Sequence, residues 1–484
     1  MMQNWLATLA LLSWPVAALW LYSTRPFNRA TAWTILGGLL LLPVGAVIKL
    51  APGIPQLDKV SVPNLAALLG CVFVVRQRPR FFSRIGLAET LLLMSLVGPF
   101  ITSELNGDII FAGGATILPA VGHYDALSAI VSQFIFLLPF FLGRQFLWSS
   151  ADTAEILRVL TIAGLLYSIP MLIEIRLSPQ LHYWVYGYAP SDFIQEMRDG
   201  GFRPMVFMGH GLLAAFFMMT AVVAATALWR ARIRVAPAPP ITVAAYLSVL
   251  LVLCKSMGAL LYGFVLVPLV RLAKPRLQLR VAVVLATIAL AYPMARMADL
   301  VPSRLLLEWA ASVSQDRGDS LRTRFVQEGQ LLERASQRFI FGWGRFGRSR
   351  IYDESGNNTS ITDGRWIITI GQFGLFGFLA EFGLLAFPIF SAVAALRFTE
   401  TARDRVFLAT LALILAINIV DLLPNATITP WTWLLGGALL GRAEALRAAI
   451  RPSTRPDLLL NQTGREKRRG NFAPSSPGGS ASPQ

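Results

Sequence analysis

The sequence predicts an all-α polytopic membrane protein with about 12–13 transmembrane helices and one large loop on its outer face. Three observations carry this. Of 484 residues, 55% are hydrophobic and only 14% charged, against roughly 25% charged in an ordinary globular chain, and the mean hydropathy is +0.57. Apolar runs of membrane-span length, roughly 20 residues, follow one another from Trp5 to the run that opens at Trp431. One long polar stretch, residues 297–366, interrupts them.

The first run, Trp5 to Tyr22, has neither a basic flank before it nor a small-residue cleavage site after it. It reads as a retained helix rather than a signal peptide. Further runs begin near Ala32, Val62, Ala88, Ala126, Ala154, Met205, Ile241, Met257, Val281, Phe373, Val406 and Trp431. Alternate connections are basic: Arg25 and Arg29, then Arg76 to Arg84, Arg230 to Arg234, Arg271 to Arg280, and Arg397 to Arg405. By the positive-inside rule these connections are cytoplasmic. The connections of the other parity then face outward, including residues 176–204 and the long stretch 297–366, and all three histidines fall on that side. Residues 1–450 thus form one transmembrane domain. Residues 451–484 turn to Pro, Ser, Gly and basic residues, a composition that cannot bury a core, and read as a disordered cytoplasmic tail.

The net charge of +16 lies in short clusters between apolar runs, where it orients helices and meets anionic lipid rather than nucleic acid. Cys71 and Cys254 sit inside apolar runs and match no metal or redox spacing. The outer loops hold no Asp-x-Asp pair or His/Asp cluster suited to a divalent metal.

Within the long loop, Asp319 or Ser320 can cap a helix running to about Phe339. Arg324 sits near its start, one turn from Glu328, with which it can form a solvated pair. Gly342, Gly344 and Gly347 spell G-x-G-x-x-G, but a helix precedes them and no strand or crossover unit frames them, so a nucleotide fold is rejected. Two readings stay open for these glycines: a structural turn, or a turn that presents N–H groups to phosphate beside Arg345, Arg348 and Arg350. Asp363, where the chain re-enters the membrane, is either a helix cap or a carboxylate in a partly dry cleft, suited to a general base. Arg203 is expected at the mouth of the helix after the smaller loop, with His210 about two turns inside it, facing a polar cavity or partner. Lys255 is either a snorkelling end residue or part of the same cavity.

The segments RTRFVQEGQLLERASQRFIFGWGRFG and TDGRWIITIGQFGLFGFLAEFGLL resemble the O-antigen ligase and polymerase superfamily. The stretches GGFRPMVFMGHGLLAAFFM and CKSMGALLYG resemble that family's smaller loop and the helix pair after it. The resemblance covers residues 198–385. It implies a GT-C type fold and a metal-independent, inverting glycosyltransferase with no cofactor, set in the bacterial inner membrane with its site on the periplasmic side. It implies a glycan donor on undecaprenyl pyrophosphate, a glycan acceptor, membrane lipid and other polysaccharide-assembly proteins as partners. The family's two pyrophosphate-binding arginines correspond to Arg203 and Arg324, joined here by Arg345 beside the glycine turn; Asp363 and His210 are the catalytic candidates. The ligases carry a histidine where this chain has Asp363, and that departure favours a polymerase of exported or surface polysaccharide over a ligase. A transporter or an assembly scaffold is the reading from a different class; a transporter requires broken helices and charges deep in spans.

Overall fold

The computed structural model describes residues 4–449, except 50–54, 82–85, 192, 199 and 236. The expected tail, 451–484, lies outside the described residues. Each of the thirteen apolar runs forms a helix: α1 (Trp5–Thr24), α2 (Phe27–Leu41), α3 (Ser61–Leu69, continued by a π turn, Gly70–Val74), α4 (Leu87–Glu104), α5 (His123–Phe146), α6 (Ser150–Leu177), then, after a short α7 (Leu181–Tyr186), α8 (Gly211–Arg230), α9 (Pro240–Leu253), α10 (Met257–Leu272) and α11 (Pro275–Met297). The polar loop contributes α12 (Ser303–Val313) and α13 (Gln315–Ser336), before α14 (Arg365–Ala395), α15 (Ala402–Asp421) and α16 (Pro430–Ala448). Two 2-residue hairpins, β1–β2 (Ile110–Phe111, Ile117–Leu118) and β3–β4 (Met197–Arg198, Gly201–Phe202), are the strands among the described residues. The protein is therefore an all-α polytopic membrane protein.

Among the described residues, seven helices (α1, α4, α5, α6, α8, α11 and α14) are long and apolar enough to cross a membrane. The expectation of about 12–13 full spans exceeds that number. The helices that fall short include α9, of 14 residues, and α10, of 16, where a hydrocarbon core of about 30 Å requires about 20. They meet at Cys254–Ser256.

The bundle's centre is apolar, with α8, α15 and α16 buried over most of their length. The α5–α16 contact is the tightest. Gly437 and Gly441 form a small-xxx-small pair; a methyl group on Gly437 would stand 2.1 Å from the Phe140 carbonyl oxygen, and one on Gly441 2.2 Å from that of Arg144. One cluster of ion pairs marks one end: Arg29 and Arg158 on Glu155, and Arg144 on Glu89 and Glu444. The loops 176–204 and 297–366 cover the other.

Two devices tie the long loop down. Arg348, fully buried, donates to the carbonyls of Trp343, Asp108 and Pro119 and to the Asp108 carboxylate at 2.7–3.1 Å. This corrects the reading of Arg348 as a phosphate fork: its donors are spent on protein. The second device is a backbone clasp. Helix α14 breaks at Gly374 (φ 66°, ψ −167°). The amides of Trp343 and Gly344 donate to the carbonyls of Gly371 and Gln372, and the amides of Leu375 and Phe376 donate to those of Phe339 and Ile340, at 2.8–3.1 Å. The glycine-rich turn is therefore a structural clamp on the broken helix.

The break folds α14 back on itself. Arg365 makes a bidentate pair with Glu381, 16 residues on, at 2.6–2.7 Å. In a continuous helix that separation would be about 24 Å of rise, beyond the reach of the two side chains. Residues 365–373 thus form a half-helix beside the main span 375–395, with Thr369 also donating to Glu381 at 3.0 Å.

Candidate functional site

A cavity of about 600 Å³ is lined by both loops, by the α9–α10 connection and by α8 and α10. Among its described lining residues are four cationic side chains, Arg203, Lys255, Arg317 and Arg324, and no carboxylate.

Arg203 follows β4 and is 7% exposed. Its amide donates to the Glu196 carbonyl at 2.8 Å and its Nη2 to the Lys255 carbonyl at 3.4 Å. The turn beyond it is pinned by Glu174 of α6, which accepts from the amides of Leu181, Met205 and Val206 at 2.7–3.0 Å. This carboxylate holds residues 205–208 off the helix, so α8 starts at Gly211, not near Met205. His210 is consequently the N-cap at the helix mouth rather than two turns inside.

His210 Nδ1 accepts from the Leu212 amide at 3.1 Å and lies 3.6 Å from Glu196 Oε1. Burial lowers its pKa, and the cations Arg203 and Arg324 add to that against the carboxylates of Glu196 and Asp363. An Nδ1 that accepts places the proton of the neutral ring on Nε2. In that tautomer His210 is a hydrogen-bond donor, and its basic nitrogen is occupied by the helix. The Glu196 carboxylate also accepts from the Gly211 amide at 3.1 Å, a favourable place for negative charge at a helix N-terminus. Gly211 itself permits the packing: a methyl group there would stand 2.3 Å from Arg203 Cδ and 2.4 Å from Glu196 Oε2.

Arg324, on α13, contacts Asp363 through Nε at 3.2 Å and the Pro424 carbonyl through Nη1 at 3.4 Å. Its partner is not Glu328. That carboxylate is taken by Tyr292, Arg296 and the Trp366 indole at 3.1–3.3 Å, and burial raises its pKa against their pull. Glu328 thus anchors α13 to α11 and α14 and sets the position of Arg324. Asp363 lies with Arg324 in an adjoining cleft of about 200 Å³.

The structure therefore gathers Arg203, His210 and Arg324 around one cavity, with Asp363 reached through Arg324. Arg345 is not among them. The clamp turns it to the other side, where it lines a second cavity with Arg365 and the polar face of α5. Lys255, one of the two readings left open for it, is at the first cavity. Glu174 and Glu196 were missed by sequence reasoning, since neither an acid near the end of an apolar run nor one within a polar loop carries a mark of the amides it will accept. Among the described residues no group of three or more His, Cys, Asp or Glu is placed to hold a metal ion.

The class that fold and site define is a polytopic helical membrane protein with a cationic, partly enclosed cavity at one end of its bundle. No protein-family model matches the chain, and no curated protein matches it.

Proposed function

We propose that the chain is a bacterial inner-membrane glycosyltransferase that polymerises an exported or surface polysaccharide, taking a glycan from undecaprenyl pyrophosphate on the periplasmic side. The convergence of Arg203, His210 and Arg324, drawn from two loops more than a hundred residues apart, on one cavity carries the reading. The superfamily resemblance supplies the substrate class.

In the reaction an acceptor sugar hydroxyl attacks the anomeric carbon from the face opposite the pyrophosphate. The anomeric C–O bond breaks, and its electron pair leaves on undecaprenyl pyrophosphate. Arg203 and Arg324 hold that group, and their guanidinium contacts strengthen as its charge grows. The neutral His210 donates Nε2–H to a phosphoryl oxygen, a positioning contact. The proton of the attacking hydroxyl passes to Asp363. Binding of the pyrophosphate draws Arg324 away from Asp363 and frees that carboxylate to accept.

The product tests it. In cells lacking the protein, loss of chain length with a single repeat retained means polymerase. Full-length but unattached glycan means the alternative, a ligase. Lysine keeps the charge at 324 but loses the planar two-pronged fork that grips the pyrophosphate. Arg324→Lys should therefore be nearly as damaging as Arg324→Ala, roughly a hundredfold in rate or about 3 kcal/mol. Full polymer from Arg324→Lys at normal protein level defeats the assignment. The break in α14 and the Arg365–Glu381 pair favour transport as a second reading. The clasp opposes it by fixing the break to the loop, and a proteoliposome flux that persists in Arg324→Ala would establish it.

A further inference from the structure

The second cavity is the larger, about 970 Å³, at the upper end for small-ligand pockets, which run about 300–1,000 Å³. It lies among α3, α4, α5, the clamp and the half-helix 365–373. The half-helix separates it from the Arg324–Asp363 cleft: Ile367 lines that cleft, whereas Arg365 and Gln372 line this chamber. Residues two apart on a helix face opposite ways.

Its chemistry differs from that of the first cavity. Asp125, Ser128, Ser132 and Gln133 form one wall on α5. Gln133 stands ten residues past the start of α5, about 15 Å along the helix, at a depth where a polar side chain in lipid is costly. Ser132 Oγ bonds back to the Ser128 carbonyl at 2.7 Å. The side chains of Gln133, Gln372 and Tyr124, and the Arg345 guanidinium, line the chamber without a hydrogen-bond partner among the described residues. The charges balance: Lys49, Arg345 and Arg365 face Asp58 and Asp125, with Glu381 neutralising Arg365. Aromatic rings stand at Tyr124, Phe346 and Phe373; Phe346 is 49% exposed.

A chamber with amide, hydroxyl and charged groups of both signs, and no net charge, does not select an anion or a hydrocarbon chain. It matches a ligand that presents donors and acceptors densely around its rim and C–H faces to aromatic rings. We propose that this chamber binds an uncharged oligosaccharide, with Arg345, Gln133 and Gln372 on its hydroxyls and Phe346 against a pyranose face. Binding stands apart from the reaction; only the role of that saccharide as the acceptor rests on the transferase reading. Arg345, expected with the pyrophosphate group, is thereby a saccharide-binding residue.

The test is direct binding of the purified full chain in lipid nanodiscs to an array of neutral malto-, cello-, manno- and N-acetylglucosamine oligomers, with uronate oligomers for comparison. The wild-type protein should retain neutral oligomers in preference to uronates. Phe346→Ala and Arg345→Ala should each weaken retention at least tenfold, and Arg324→Ala should leave it unchanged. Phe346 is exposed, so its variant keeps the fold should a chamber-filling Ser132→Leu lose it. The proposal is overturned if no neutral oligomer is retained, if both variants bind as wild type does, or if retention is lost in Arg324→Ala alone. If Arg324→Lys polymerises normally while Phe346→Ala loses retention, the transferase assignment fails and the saccharide site stands.

Discussion

Replacing Gly374 with alanine should do far more harm than a methyl group in a helix ordinarily does. At φ 66° and ψ −167° the residue occupies a region populated almost solely by glycine, and an alanine held there is strained by about 1–3 kcal/mol. The new methyl group would also stand 2.2 Å from the Ile340 carbonyl oxygen, so the clamp must withdraw. Withdrawal stretches or breaks the four backbone bonds of the clasp, at about 1 kcal/mol each. With all four bonds lost, the combined loss is about 5–7 kcal/mol. Gly329→Ala is the control: it lies within α13 with nothing within 4 Å of its would-be β-carbon, and there alanine should stabilise by up to about 1 kcal/mol. Thermal unfolding of both variants in detergent, followed by size-exclusion fluorescence, reads the two signs. Hydrogen exchange at Trp343, Gly344, Leu375 and Phe376 reads the clasp itself. A Gly374→Ala protein that melts with wild type and protects those four amides would refute the reasoning.

Three further outcomes are expected. Glu381→Gln leaves Arg365 facing an amide at a site where the carboxylate is 5% exposed and should destabilise by about 3–5 kcal/mol, whereas Arg365→Met with Glu381→Leu should recover most of the loss; unfolding midpoints of the single and double variants decide. Because burial lowers the His210 pKa from 6.5, the folded state takes up that proton less readily than the unfolded one. The stability it contributes is full above pH 6.5 and lost as pH falls from there through the folded value; His210→Asn keeps a cap and should flatten that part of the pH–stability curve. Gly441→Leu, which forces side-chain bulk against the Arg144 backbone 2.2 Å away, should abolish the folded monodisperse protein, and a normal elution profile would contradict the α5–α16 packing.

The helices were legible because each apolar run is long and bounded by charge. The pairing of the two loops at one end followed from the parity of the basic connections. What the sequence hides is tertiary. The run from Met205 reads as helix until Glu174, thirty-one residues upstream, takes its amides. Arg324 and Glu328 are one turn apart, which suits a surface pair, yet Tyr292, Arg296 and Trp366 claim Glu328 first. Arg345 and Arg348, three residues apart beside the same glycines, have opposite fates, one open to a cavity and the other sealed among carbonyls. The α14 break had one local sign, a run of glycines at 371, 374 and 377, but the pattern does not say which of them leaves the helix.

The clasp also bears on how the chain reaches its final form. Where α14 breaks, backbone groups lose their helical partners, and in hydrocarbon each would cost several kcal/mol. Their partners at 339–344 lie earlier in the chain. Synthesis runs from the N-terminus, so residues 339–344 are made before 375–395 and can receive them as they settle. Packing of α14, α15 and α16 thus depends on the placement of the loop before them. A chain whose loop is misplaced keeps an open break with unpaired backbone groups, so the feature that shapes the second cavity also ties the last helices to the loop that precedes them.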